Sequence, residues 1–304
     1  PIYRPNQVRR LTESLRDLMG WSVPVFIDQE GGRVQRFKPP VWRAAPAADR
    51  FGLLWDREPE AACEAVRLNH QLIAAELIAC GVDVDFAPCL DLRIDGAHSV
   101  IGDRAFHADP GAVAQMGGAA VAGLLDQGVL GVVKHVPGHG RAGVDSHFAL
   151  PVVEADEDTL RETDFHAFKA LSAATMAMTA HVVYPAIDPD DPVTLSQEGV
   201  QRVIRGHIGF DGLLMTDDLS MKALEGPIRA RGERASAAGC DMLMHCNGDM
   251  AEMIEIAHAA PRLDGRALAR AEAALADRRA PSDFDPETAQ ARLDALFKAA
   301  KLDA

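Results

Sequence analysis

The sequence predicts an α/β chain folded as a single-domain (β/α)8 barrel, and three observations point there. Short apolar runs rich in β-branched residues alternate with helical patterns along most of the chain, the signature of parallel strands joined by right-handed crossovers. The runs are continuously apolar rather than alternating, as expected when both faces of a sheet are covered. Polar residues gather at their C-terminal ends, where the strands of a barrel converge on one mouth.

The strands are read as VPVFID (23–28), VDVDFAP (82–88), LGVVKH (130–135), AMTAHV (177–182), GLLMTD (212–217) and DMLMHC (241–246). Helices are expected near 60–80, 110–127, 156–174, 196–206, 228–238 and 249–259. Gly81 suits the end of the first and Pro110 the start of the second, where a missing N–H costs nothing. Residues 265–304, charged and alanine-rich, read as C-terminal packing helices, so 1–304 is taken as one domain. A doubly wound sheet is the competing architecture, but no G-x-G-x-x-G follows a strand. Asp28, Asp85, Lys134, His135, His181, Asp217 and His245 all fall at or near strand ends, which favours the barrel and a shared pocket.

Composition narrows the function. With 45 acidic against 31 basic side chains the net charge is −14, which argues against nucleic acid or an anionic membrane as partner. The five cysteines are odd in number and lack short paired spacing, so neither a disulfide framework nor a CxxC metal site is expected. No stretch reaches the roughly 18 apolar residues of a membrane span, and no signal peptide is visible. A reducing cytoplasm is the default location. The oligomeric state is left open.

The chemistry concentrates in KHVPGHGRAGVDSH, 134–147. Pro137, Gly138 and Gly140 rule against a helix that would place His135 and His139 on one metal-binding face. His139, Asp145 and His147 are a loop alternative for a metal, without support from an HExxH pattern. Otherwise Asp145 and His147 read either as an acid–base dyad, the carboxylate fixing the imidazole tautomer, or as a loop-stabilising hydrogen bond. His139 is expected to brace the loop.

In TDDLSM, Asp217 stands at a strand end as a candidate nucleophile, with Asp218 pointing the other way and capping the next helix. Asp28 and Arg36 flank a glycine turn, as sugar-recognising groups or as a surface ion pair, and Arg104 offers a planar donor fork. The cysteines, the tryptophans at 21, 42 and 55 and the methionines of 215–253 are read as packing. His70, His166 and His207 are read as surface residues.

Five elements in order, DQEGGRVQR, DFAPCLD, IGDRAF, KHVPGHG…DSH and TDDLSM, span residues 28–221. Together they resemble glycoside hydrolase family 3, in particular the single-domain β-N-acetylglucosaminidases of peptidoglycan recycling, over about 5–250. The resemblance implies Asp217 as nucleophile, His147 as general acid/base and Asp145 as its partner. It implies that Asp28, Arg36, Arg104, Lys134 and His135 hold a terminal N-acetylglucosamine, and that no metal or cofactor is needed. The implied substrate is a muropeptide fragment bearing N-acetylglucosamine on 1,6-anhydro-N-acetylmuramic acid. Val136 stands where the family has an aromatic. The family also carries a further strand ahead of the loop-like PIYRPNQ, so the sequence is expected to lack an N-terminal segment that includes the first barrel strand. The rival activities are β-N-acetylglucosaminide phosphorolysis, a metal-dependent amidohydrolase and non-catalytic sugar binding.

Overall fold

The computed structural model describes residues 4–302. The first half of the chain runs α1 (Pro5–Met19), β1 (Phe26–Ile27), β2 (Gln29–Gly31), β3 (Val34–Gln35), α2 (Ala48–Trp55), α3 (Pro59–Ala79), β4 (Val84–Asp85), α4 (Pro110–Asp126) and β5 (Leu130–Val136). It continues through α5 (Glu157–Glu162), α6 (Asp164–Ala170), β6 (Met176–Thr179), a wide π-type helix over Glu198–Ile208, and β7 (Leu213–Asp218). Then come α7 (Ile228–Ala238), β8 (Met242–Met244), α8 (Met250–Ala259), α9 (Gly265–Ala276) and α10 (Pro286–Ala299).

Six strands form one parallel sheet in the order β1-β4-β5-β6-β7-β8. Each new strand is added beside its predecessor. A doubly wound sheet would reverse direction part-way, so that alternative falls. The remaining two strands, β2 and β3, make a small antiparallel hairpin after β1. The eight-stranded closure expected from the sequence is not seen among the described residues, where β1 and β8 each pair with one strand only.

All six expected strands are present, though four contract to two to four residues. The helix expected over 156–174 is two helices. Thr163 breaks it at φ −117°, ψ −85°, its hydroxyl donating to the Thr159 carbonyl, 2.6 Å away, a back-bond that competes with helix propagation. The loop expected in PIYRPNQ gives way to helix from Pro5 onward; residues 1–3 lie outside the described residues. Of α1 only Val8 and Thr12 are buried.

Inward side chains of the sheet, Val84, Phe86, Leu130, Val132, Met176, Met178, Leu213 and Met215, form one apolar cluster, joined by Ala271 and Ala274 of α9. The helices pack on the outer face, where Leu293, Leu296 and Phe297 of α10 join Phe51 and Leu54.

Several packing expectations fail. His70 is buried, its Nδ1–H donating to the Val66 carbonyl one turn back. Burial holds its imidazole at about 4, neutral and helix-embedded. Trp21, Met242, Met250 and Met253 are exposed rather than packed, and so is Cys246. No helix among the described residues is long and apolar enough to cross a membrane.

Candidate active site

At the C-terminal ends of the strands lies a cavity of about 290 Å³. The eight residues given a catalytic or sugar-binding role from the sequence line it, Asp28, Arg36, Arg104, Lys134, His135, Asp145, His147 and Asp217, whereas Asp85, His181 and His245, also expected in a shared pocket, do not.

Its floor is a charge network centred on Glu30. The Arg104 fork donates to both Glu30 oxygens, from Nε at 2.9 Å and Nη2 at 2.8 Å, and Lys134 Nζ lies 2.6 Å from Glu30 Oε1. Lys134 also reaches Asp28 Oδ1 at 3.2 Å, while Arg36 donates to Asp28 Oδ2 at 2.8 Å. Burial alone would raise the Glu30 carboxyl, but Lys134 and Arg104 beside it hold it far below the usual range. Burial likewise opposes the Lys134 charge, and Glu30 and Asp28 overcome it, raising the ammonium above its ordinary value. A buried charge is tolerable only when so paired and hydrogen-bonded.

The second group surrounds Asp91. It accepts from His135 Nδ1–H at 2.6 Å and from the backbone N–H of His139, also at 2.6 Å. Burial favours its neutral form, yet His135 outweighs that and holds the carboxyl at about 2. His135 therefore turns Nε2 away from Asp91. His139 is buried, with Nε2 3.1 Å from Ser146 Oγ; burial holds its imidazole at about 4. It braces the loop, as read.

On that loop His147 donates to Asp145 Oδ1 twice, from its backbone N–H at 2.9 Å and from Nδ1–H at 2.8 Å. The one-residue spacing thus produces the dyad geometry, with the Nδ1 tautomer set and Nε2 left for another partner. Burial opposes the Asp145 charge slightly; the two His147 hydrogen bonds prevail and lower its pKa.

Asp217 closes the cavity at the end of β7. Its side chain is buried, and Asp218 N–H donates to its Oδ1 at 2.8 Å. Burial would raise the carboxyl, but His135, that N–H and Lys134 together lower it, so the group is ionised. Asp218 lines the cavity as well. It caps a turn rather than the expected helix: Oδ1 accepts from the N–H groups of Ser220 and Cys246, and Oδ2 from the Ser220 hydroxyl.

Residues 4–277 match the sequence profile of the glycosyl hydrolase family 3 N terminal domain. The chain belongs to glycoside hydrolase family 3. It is 43% identical over 250 residues to a β-hexosaminidase of Alkalilimnicola ehrlichii, covering 80% of this chain and 70% of the relative. A β-hexosaminidase of Aromatoleum aromaticum is 40% identical over 245 residues, 79% of this chain and 68% of the relative. NagZ from Neisseria gonorrhoeae in complex with N-trifluoroacetyl-D-glucosamine superposes with a TM-score of 0.82 at 33% identity, covering 99% of this chain and 86% of that one.

As a family 3 glycoside hydrolase, the chain places its charged groups in a cavity suited to a hydroxyl-rich substrate. Glu30 and Asp91 hold that cavity in shape, and neither stood out in the sequence. Each lies inside a quoted motif, but its partners are distant along the chain. Among the described residues, His139, Asp145 and His147 do not gather as a metal-binding group. One cluster does bring donor atoms within 4.8 Å of one another, Cys89, Asp91 and His135. There Asp91 Oδ2 already accepts from His135 and from the Cys89 thiol at 3.2 Å. Burial pushes that thiol well above its usual value, away from the thiolate a metal needs. This donor set fits a hydrogen-bonded triad better than an ion.

Proposed function

We propose that the protein is a retaining exo-β-N-acetylglucosaminidase that releases terminal β-linked N-acetylglucosamine from 1,6-anhydro-muropeptides in the cytoplasm. The observation that carries this reading is the pairing, in one cavity, of an ionised, buried Asp217 with the Asp145–His147 dyad. The β-hexosaminidase relatives and the N-acylglucosamine-bound neighbour support the sugar; the peptidoglycan aglycone rests on likeness to NagZ.

In this mechanism Asp28, Arg36, Arg104, Lys134 and His135 hold the sugar through its hydroxyl and acetamido groups. Asp217 attacks the anomeric carbon as the glycosidic C–O bond breaks, and His147 Nε2–H passes its proton to the departing oxygen. Water then attacks the glycosyl-aspartate ester, giving its proton back to His147 and freeing the sugar with retained configuration. Most retaining enzymes pair two carboxyl groups about 5 Å apart; a histidine in place of one removes the basis for that spacing. Asp145 stabilises the imidazolium formed in the second step. Phosphorolysis is the weaker reading, because Arg104 and Lys134 are already neutralised by Glu30 and Asp28 rather than free for phosphate.

The test is nitrophenol release from nitrophenyl N-acetyl-β-glucosaminide by wild type and Asp217→Ala, with and without phosphate and a chelator. Hydrolysis by the wild type alone, unchanged by either additive, supports the reading. Phosphate diverting product to a sugar phosphate, inhibition by chelator, or activity surviving in Asp217→Ala would each overturn it.

A further inference from the structure

Two polar strand-end residues besides the eight draw attention near Asp217 and Lys134: Asp85, buried beneath the charge network, and His181. His181 is the more informative. It follows β6 with no exposed surface, and both ring nitrogens are engaged. Nε2 lies 3.1 Å from the carbonyl oxygen of Asp218. A carbonyl only accepts, so Nε2 carries the proton. Burial disfavours the charged ring, which leaves Nδ1 as an acceptor, 2.8 Å from Thr194 Oγ1. The Thr194 hydroxyl faces two acceptors, this nitrogen and the Ala180 carbonyl at 3.1 Å, and with its proton given to either one its oxygen accepts from the Thr179 hydroxyl at 2.7 Å. The two threonine hydroxyls thus buttress the His181 ring on its Nδ1 side while Nε2–H donates to the Asp218 carbonyl.

That last bond fixes the residue whose N–H binds Asp217. Asp218 is held at three points: its N–H on Asp217 Oδ1, its side chain in the Ser220–Cys246 turn, its carbonyl on His181. With Oδ1 occupied, Asp217 Oδ2 has no hydrogen-bond partner among the described residues and is the oxygen left for the cavity.

We propose that His181, buttressed by Thr194 and Thr179, is a positioning residue that fixes the Asp218 main chain so that Asp217 presents Oδ2 to the anomeric carbon. The proposal rests on Asp217 being the nucleophile. It assigns His181 no contact with substrate, so its loss acts on the rate of attack rather than on sugar binding. A misplacement near 1 Å at a reacting atom costs on the order of 10²-fold in rate.

The test compares His181→Phe, which fills the space without a donor, with His181→Gln, which keeps an N–H near the Nε2 position, and with the near-isosteric Thr194→Val. Readouts are kcat, KM, affinity for N-acetylglucosamine, and the dependence of kcat on leaving-group acidity across substituted phenyl glycosides. His181→Phe is expected to lose on the order of 10²-fold in kcat with sugar affinity unchanged and a steeper leaving-group dependence, as attack becomes limiting. His181→Gln should recover most of that loss, and Thr194→Val should fall between them. Wild-type kcat in Thr194→Val and His181→Phe, or equal losses in kcat and sugar affinity, would overturn the proposal. Should His181→Phe fail to fold, Thr194→Val and His181→Gln decide alone: a kcat loss in Thr194→Val exceeding that in His181→Gln supports it, and no loss in Thr194→Val sinks it. Asp217→Ala run alongside separates the two readings. If it remains active, the nucleophile assignment itself has failed; if it is inactive while the His181 and Thr194 variants are normal, only this inference has.

Discussion

Lys134 and His147 line the same cavity and belong to one continuous stretch of chain, yet the Lys134 side chain is 3% exposed and that of His147 56%. Around Lys134, each buried cation faces a carboxylate, and the pairs are shielded from water. Around His147, one carboxylate partners an imidazole open to solvent, where an ion pair is screened and weak. Under the proposed mechanism the contrast follows from what each part is asked to do. Groups that hold a sugar gain from fixed positions and a charge state that does not change. A group that gives and takes a proton needs contact with both substrate and water, and full burial would favour its neutral form, as burial does to His139 on the same loop, held at about 4.

This division is broken most directly by His147→Ala. Removal of the acid is expected to cost about 10²- to 10⁴-fold in kcat on alkyl or disaccharide substrates, the usual range for a general acid. On nitrophenyl glycosides, whose leaving group hardly needs a proton, kcat/KM should fall far less, while kcat stays depressed because His147 also takes the proton from water in the second step. Affinity for N-acetylglucosamine, measured by calorimetry, should stay near wild type. If affinity fell in step with kcat, binding and proton transfer would not be separate functions of the two regions.

Glu30→Gln probes the other side. The change keeps shape and removes the charge that Lys134 and Arg104 share, leaving two buried cations underpaired. Breaking such a network costs about 3–5 kcal/mol, to be read as a fall in urea stability together with weaker sugar binding. The matching change on the loop, Asp145→Asn, should alter stability by less than about 1 kcal/mol, because the pair it breaks is exposed. Comparable losses from both variants would erase the distinction.

How much of this was legible beforehand follows the same divide. The Asp145–His147 dyad could be read because its partners are two residues apart, and Asp217 because a strand end fixes its location. Glu30 and Asp91 could not, although each sits inside a quoted motif. Glu30 meets residues 104 and 134, and Asp91 meets 135 and 139; only the fold brings them together, and a single sequence carries no mark of that pairing. The strands at 23–28 and 82–88 were legible as apolar runs, but only their central residues form ladder bonds. Helix α1 does carry a helical apolar spacing in Val8, Leu11, Leu15 and Leu18, and the fold buries only the first of these.

Asp85 supplies the subtlest comparison, since it lies beside the compensated network without sharing its compensation. Its Oδ1 accepts from the Gln29 N–H at 2.9 Å, but Oδ2 is buried with no partner. Burial pushes its carboxyl up to about 8; the Gln29 N–H and Lys134 oppose this, and the nearby Asp28 and Glu30 add to it. The folded-state value thus lies above the roughly 3.9 of an unfolded aspartate. Below about pH 4 the group is protonated in both states and its stabilising contribution is complete. As pH rises toward 8 the unfolded chain releases the proton while the folded one must keep it, so stability is lost across that window. Asp85→Asn removes the titration, keeps an oxygen for the Gln29 N–H, and places an amide donor toward the neighbouring carboxylates. The variant is expected to be more stable than wild type by about 4 kcal/mol at pH 7, the difference shrinking to nothing near pH 4. Urea unfolding of both proteins at several pH values measures it. A difference that stayed constant with pH, or grew toward acid, would mean that Asp85 is ionised in the folded protein and belongs to the compensated network after all.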